Sequence, residues 1–122
     1  MAILLHGTTL HRAEMILADG PNVDYIEPGG RVPANEFSTL LEDARTDFVG
    51  SAGEYAIKKA KNFPAERGPA VLVIDVPDEI VDLAFDQYLP RAQGLAQFDL
   101  EGEALRRLLE AWDGLTKYIR KI

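Results

Sequence analysis

The sequence predicts an α+β domain, on three observations. Residues Ala70-Val71-Leu72-Val73-Ile74-Asp75-Val76 form an almost continuous apolar run rich in β-branched side chains, which suits a central strand. Leu105, Leu108, Leu109 and Trp112 recur at i, i+3, i+4 and i+7, the apolar stripe of an amphipathic helix. Between such segments lie long loops without regular strand–helix alternation, which argues against a doubly wound parallel sheet.

The elements follow in order. Ala2-Ile3-Leu4-Leu5 is too short for a buried helix and is bounded by His6-Gly7, so it reads as a short buried strand. Thr8 or Thr9 can cap a helix carrying Leu10, Ala13, Ile16 and Leu17, which ends at Gly20-Pro21. Six glycines and prolines between Gly20 and Pro33 mark a loop, with a short extended piece at Val23–Ile26. Glu36 to Leu41 reads as a strand running into a charged loop from Glu42 to Asp47. Ser51, with Glu54 three residues on, has the spacing of a capping box for a helix reaching about Asn62, before Pro64. A turn from Pro64 to Pro69 leads into the strand at 70–76, which Pro77 stops. Residues 78–95 read as an acidic stretch that becomes loop-like at Leu89–Gly94, and Ala96–Leu100 as a short strand. Leu115, Tyr118, Ile119 and Ile122 extend the last helix to the C-terminus.

At 122 residues the whole chain, 1–122, makes one domain, large enough to bury a core unaided. Twenty acids against 13 bases give a formal charge of −7, which disfavours nucleic acid and anionic membrane surfaces as partners. With no cysteine there is no disulfide, thiol nucleophile or cysteine-bound metal. No apolar run is long enough to span a bilayer, and no basic patch precedes the first apolar run, so a soluble cytoplasmic protein is expected. His6 and His11 are five residues apart, poorly placed on one helix face, and no metal is expected. No Gly-x-Ser-x-Gly elbow, phosphate loop or dinucleotide glycine fingerprint occurs.

His6 is the more informative histidine. It sets an imidazole beside a glycine backbone and two hydroxyls, where main-chain N–H and C=O groups can pair with an amide. Leu4-Leu5-His6-Gly7-Thr8-Thr9, followed by a helix ending Ile16-Leu17-Ala18-Asp19-Gly20, resembles the opening of the ADP-ribosyltransferase fold. The similarity is to the histidine–tyrosine–glutamate branch, which includes diphtheria-type toxins and poly-ADP-ribose polymerases. It implies a small split antiparallel sheet with flanking helices and a cleft for NAD. It also implies that His6 holds the NAD ribose and that the Gly7 backbone pairs with the nicotinamide carboxamide, with Thr8 alongside.

Phe37-Ser38-Thr39 resembles the family's second strand, and Ser51 to Ala60 the helix after it, so that Phe37 and Tyr55 would sandwich the nicotinamide. Phe48 rivals Phe37 for the first position. The third motif is a loop, here Tyr88–Leu95, before a strand bearing the catalytic glutamate. Gln97 stands at that position, with Glu101 and Glu103 the nearest glutamates. Glu103 suits the first turn of the last helix, where the macrodipole favours an acid. A glutamine donates and accepts hydrogen bonds but cannot act as a base or offset positive charge.

The resemblance therefore implies NAD as substrate, with His6 and either Gln97 or Glu101 at the ribose. Its alternative is a catalytically impaired module of the same fold that binds NAD, ADP-ribose or a protein. A third possibility is a purely protein-binding domain, since Asp75 to Glu103 holds eight acids and one base, Arg91.

Overall fold

The computed structural model of the chain describes residues 2–21, 36–40, 51–83, 89–90, 95–99 and 102–122. The expected extended piece at Val23–Ile26, the charged loop Glu42–Asp47, Phe48 and Glu101 lie outside them, as does most of the Tyr88–Leu95 loop.

The chain is α+β. It runs β1 (Ala2–Thr9), α1 (Leu10–Asp19), β2 (Glu36–Leu40), α2 (Ser51–Asn62), β3 (Pro69–Val76), α3 (Asp78–Leu83), β4 (Leu89–Pro90), β5 (Leu95–Asp99), α4 (Gly102–Ala111), a 3-10 turn (Trp112–Gly114) and β6 (Lys117–Lys121). The strands join in one six-stranded sheet, ordered β4-β5-β2-β1-β3-β6, with every neighbouring pair antiparallel. The expected split sheet is thus a single hydrogen-bonded one, in which β1 and β2 share only two registered pairs. Those strands are in register at Leu4–Thr39 and Leu5–Ser38. Beyond Leu5, β1 runs on beside β3 to Thr9, while β2 pairs with β5 along its whole length.

Three boundaries differ from the sequence reading. First, β1 does not stop at Leu5: β3 supplies a partner for each residue from Ala2 to Thr9, and β-branched threonines fit a strand as well as a turn. Second, the acidic stretch after Pro77 opens with α3. Asp78 and Glu79 occupy its first turn, where negative charge is favoured, and the Ile80 N–H donates to the Pro77 carbonyl at 3.1 Å. Third, the last helix ends at Ala111, and the C-terminal residues form β6 rather than more helix. The Leu115, Tyr118, Ile119, Ile122 spacing fits a helix. However, the open edge of β3 offers a full ladder, with Ile119 opposite Leu72. α2 matches its expected span, although Ser51 is its first helical residue rather than a cap before it.

Strand alternation divides the core. Leu4, Leu72, Ile74 and Val76 face Ile80 of α3, Ala104, Leu105 and Leu108 of α4, and Trp112, with Ile16 and Leu17 of α1 against them. Leu5, Val71 and Val73 face Ala52 and Ala56 of α2 on the other side. Among the described residues the sheet is therefore sandwiched, with α1, α3 and α4 on one face and α2 on the other. Gly20, at φ 84°, closes α1 by donating to the Ile16 carbonyl at 2.8 Å, and Trp112 Nε1 donates to the Leu17 carbonyl at 3.2 Å. This ties the end of α1 to the end of α4.

Leu105 is fully buried in the larger cluster. Leu105→Ala is expected to cost about 2–5 kcal/mol of stability, read from denaturant unfolding followed by the fluorescence of the single tryptophan.

Candidate functional site

The site is built on the second half of β1. Alternation puts His6 and Thr8 on the Leu4 face of the sheet and Gly7 on the Leu5 face, under α2. His6 is half-buried and lies inside the strand, not in a turn after it. Thr8 and Thr9 are buried.

Gly7 is needed for a packing reason. A Cβ built there would lie 2.0 Å from the carbonyl oxygen of Ala52 and 3.2 Å from the Ala56 nitrogen. Both are backbone atoms of α2, so a side chain could be accommodated only if the helix lifted off the strand. The bare Gly7 backbone therefore sets how closely α2, and with it Tyr55, approaches β1. Ala52 and Ala56 complete the close contact with small side chains of their own.

Thr9, of the two threonines, caps α1. Its Oγ1 accepts from the Arg12 backbone N–H at 3.2 Å and donates to Glu66 Oε1 at 2.8 Å. Arg12 Nε donates to the same carboxylate oxygen at 2.7 Å, and the guanidinium lies 4.1 Å from the centroid of the Phe63 ring. The backbone N–H groups of Leu10 and His11 donate to the Gly68 and Glu66 carbonyls. The turn between α2 and β3 is thereby fastened to the junction of β1 and α1. The Arg12 guanidinium foremost, and the Thr9 hydroxyl after it, hold the Glu66 carboxyl below the usual carboxylate range against the opposing effect of burial. Reading the sequence missed Arg12 and Glu66, which are 54 residues apart and carry no local motif.

The other expected site residues reach the same region by strand order. Ser38 of β2 is opposite Leu5 on one side and Gln97 of β5 on the other, and Phe37 is opposite Phe98. Leu5, Ser38 and Gln97 thus form one row across three strands, with His6 one residue further along β1. Tyr55 is exposed on α2, with Lys59 Nζ 5.7 Å from its ring centroid. Glu103 is in the first turn of α4, as expected, and pairs with Arg106 and Arg107 at 3.0 Å each. The Arg107 contact is the main reason its carboxyl is held low. His11 is exposed on α1, and among the described residues no group of three or more His, Asp or Glu side chains could hold a metal. No helix among the described residues is long and apolar enough to cross a membrane.

Comparison with protein-family models, with curated proteins and with solved structures finds no match.

Two outcomes follow from this geometry. Gly7→Ala is expected to cost at least about 1–3 kcal/mol, seen as a lowered thermal midpoint, because the added methyl meets backbone rather than a movable side chain. Glu66→Gln is expected to lower the midpoint at pH 7, because it weakens the charge-assisted contact with Arg12. Since the folded carboxyl titrates below its unfolded value, the wild-type advantage is present above pH ~4.3 and vanishes as the pH falls through the folded value. The midpoints of the two proteins should therefore draw together as the pH is lowered from 7.

Proposed function

We propose that this chain is an ADP-ribosyltransferase-like protein that binds NAD where β1 and β2 part. One observation carries the reading. The three segments that resemble the family's motifs are far apart in sequence, yet they lie on successive strands, β5-β2-β1. The helix carrying the second aromatic packs on the first of these motifs through Gly7. A ligand at the parting of β1 and β2 would have His6 on one side of the sheet and α2 on the other.

In this reading His6 hydrogen-bonds the nicotinamide ribose, and the Gly7 backbone and Thr8 meet the carboxamide. Tyr55 and Phe37 stack on the ring, with Ser38 beside it. The reaction breaks the bond between nicotinamide and the ribose C1′. The bonding pair leaves with nicotinamide, and an oxocarbenium-like centre forms. A nucleophile, water or an acceptor group, then bonds to C1′ and gives up its proton to solvent water. Protein groups aimed at that developing charge supply the rate. Gln97 can orient a ribose hydroxyl but cannot take the nucleophile's proton or offset the cation.

Gln97 also favours a second reading, a module of this fold that binds NAD or ADP-ribose with its chemistry impaired. A proton NMR time course with NAD tests both. A transferase releases free nicotinamide above a His6→Ala control, whereas a binding module broadens the NAD signals without release. In either case Gln97→Glu is expected to raise release by at least about tenfold, because it restores a carboxylate base. Sharp NAD signals at millimolar concentration, with no release from either protein, would overturn the NAD-site reading.

A further inference from the structure

The N-terminus of α1 follows the His6-Gly7-Thr8-Thr9 segment directly, where its amides would suit a phosphate, but they are already bonded. The Leu10 N–H donates to the Gly68 carbonyl at 2.9 Å, and the His11 N–H to the Glu66 carbonyl at 3.2 Å. The Arg12 N–H donates to Thr9 Oγ1 at 3.2 Å. A helix N-terminus holds an anion through such amides when they lack partners. The cations around it are paired as well, Arg12 with Glu66 and Arg67 with Glu14. The His11 imidazole is close enough to both carboxylates to favour their charged forms. Two carboxylates at this end of β1 repel a phosphate.

The helix α2 offers the opposite. Ala52 and Ala56 turn toward the sheet. Tyr55, Lys59 and Asn62 recur at i, i+4 and i+7, with Lys58 beside them at i+3, so the four share one stripe. Tyr55, Lys58 and Asn62 are exposed and Lys59 is half-buried. Lys59 Nζ is 5.7 Å from the centroid of the Tyr55 ring, near the outer limit of a cation–π contact. The ammonium is thus kept beside the ring without being committed to it. Among the described residues no carboxylate pairs with Lys58 or Lys59, that of Glu54 one turn before Lys58 included. Lys59 lies about 6 Å along the helix axis from Tyr55. One ribose unit spans such an interval between a nicotinamide ring and the first phosphate.

We propose that Lys58 and Lys59 bind the diphosphate of NAD or ADP-ribose, so that the ligand runs along α2 from Tyr55 toward Asn62 and not onto the N-terminus of α1. The inference rests on the reading given above, which seats the nicotinamide at Tyr55 and assigns nothing to the phosphates. Each lysine acts as a point charge on a flexible stem, which suits a diphosphate that bends between its two sugars. Lys61 falls outside the stripe and takes no part.

The probes are NAD and ADP-ribose, each titrated into the isotope-labelled full chain and followed by the NMR shifts of its backbone amides. Lys58→Gln combined with Lys59→Gln is expected to weaken both ligands by about tenfold and to flatten the dependence of affinity on salt. An unchanged thermal midpoint shows that this variant still folds. Arginine at both positions should restore binding, and Lys61→Gln should leave it unchanged. In the wild type the amides of Lys59 and Asn62 are expected to shift with ligand, and those of Leu10, His11 and Arg12 to stay in place. Three results would overturn the proposal while the NAD reading stands: full affinity in the double glutamine variant, equal weakening by Lys61→Gln, or ligand shifts centred on Leu10 to Arg12. Absence of binding of either ligand to the wild type would overturn both.

Discussion

The pairing of β1 with β3 holds this molecule together. All eight residues of each strand are in register, and both core clusters are built on that ribbon. A one-residue slip of β1 against β3 would send Leu4 to the face of α2, where small alanines wait, and would turn Leu5 toward the bulkier layer of α3, α4 and Trp112. The two faces are not interchangeable, because one is covered by bulky side chains from three helices and the other by the Ala52–Ala56 surface of a single helix. The unequal faces thus specify the register, and the register fixes which residues of the His6-Gly7-Thr8-Thr9 segment turn toward which layer.

That segment serves two ends. Gly7 admits α2 to the sheet, and Thr9 starts α1 while joining the Glu66–Arg12 network. Four consecutive residues thereby fix both helices relative to β1, before any ligand is considered. A half-buried imidazole at His6, immediately before the first of these fixed points, is held on a rigid element rather than a loop. This is the placement that binding chemistry requires of a positioning group. The glycine has a structural role whether or not a carboxamide ever meets its backbone. A loss of NAD affinity in a Gly7 variant would therefore say less about chemistry than the same loss in a His6 variant.

The elements with strong local signals were legible in the sequence. The β-branched run at 70–76, the helix closed by Gly20-Pro21 and the stripe Leu105, Leu108, Trp112 each carry their own periodicity and stop signals. What was not legible depends on partners distant in sequence. Thr8 and Thr9 are extended because Ala70 and Pro69 lie opposite them. The last residues form β6 because β3 has a free edge there, and their spacing alone satisfies helix and strand alike. Of the candidate site, the motif residues on β1, β2 and β5 could be named from the sequence, but their adjacency is a property of strand order. Glu66 and Arg12 announce themselves nowhere along the chain.

Net charge is a poor guide to partners when the charges are segregated. The formal value of −7 argues against polyanions as a class, yet it is a sum over unlike regions. The acids of Asp75–Glu103 stand against a single arginine, while β6 carries three bases and no acid at the far edge of the sheet. At physiological ionic strength screening acts over about 8 Å, so an exposed group responds mainly to the charges within that distance. Sheet spacing puts β1 about 10 Å from β6, two strand intervals away. A chain acidic overall can carry a basic strand at the rim of its sheet, and each region must be judged by its own neighbours.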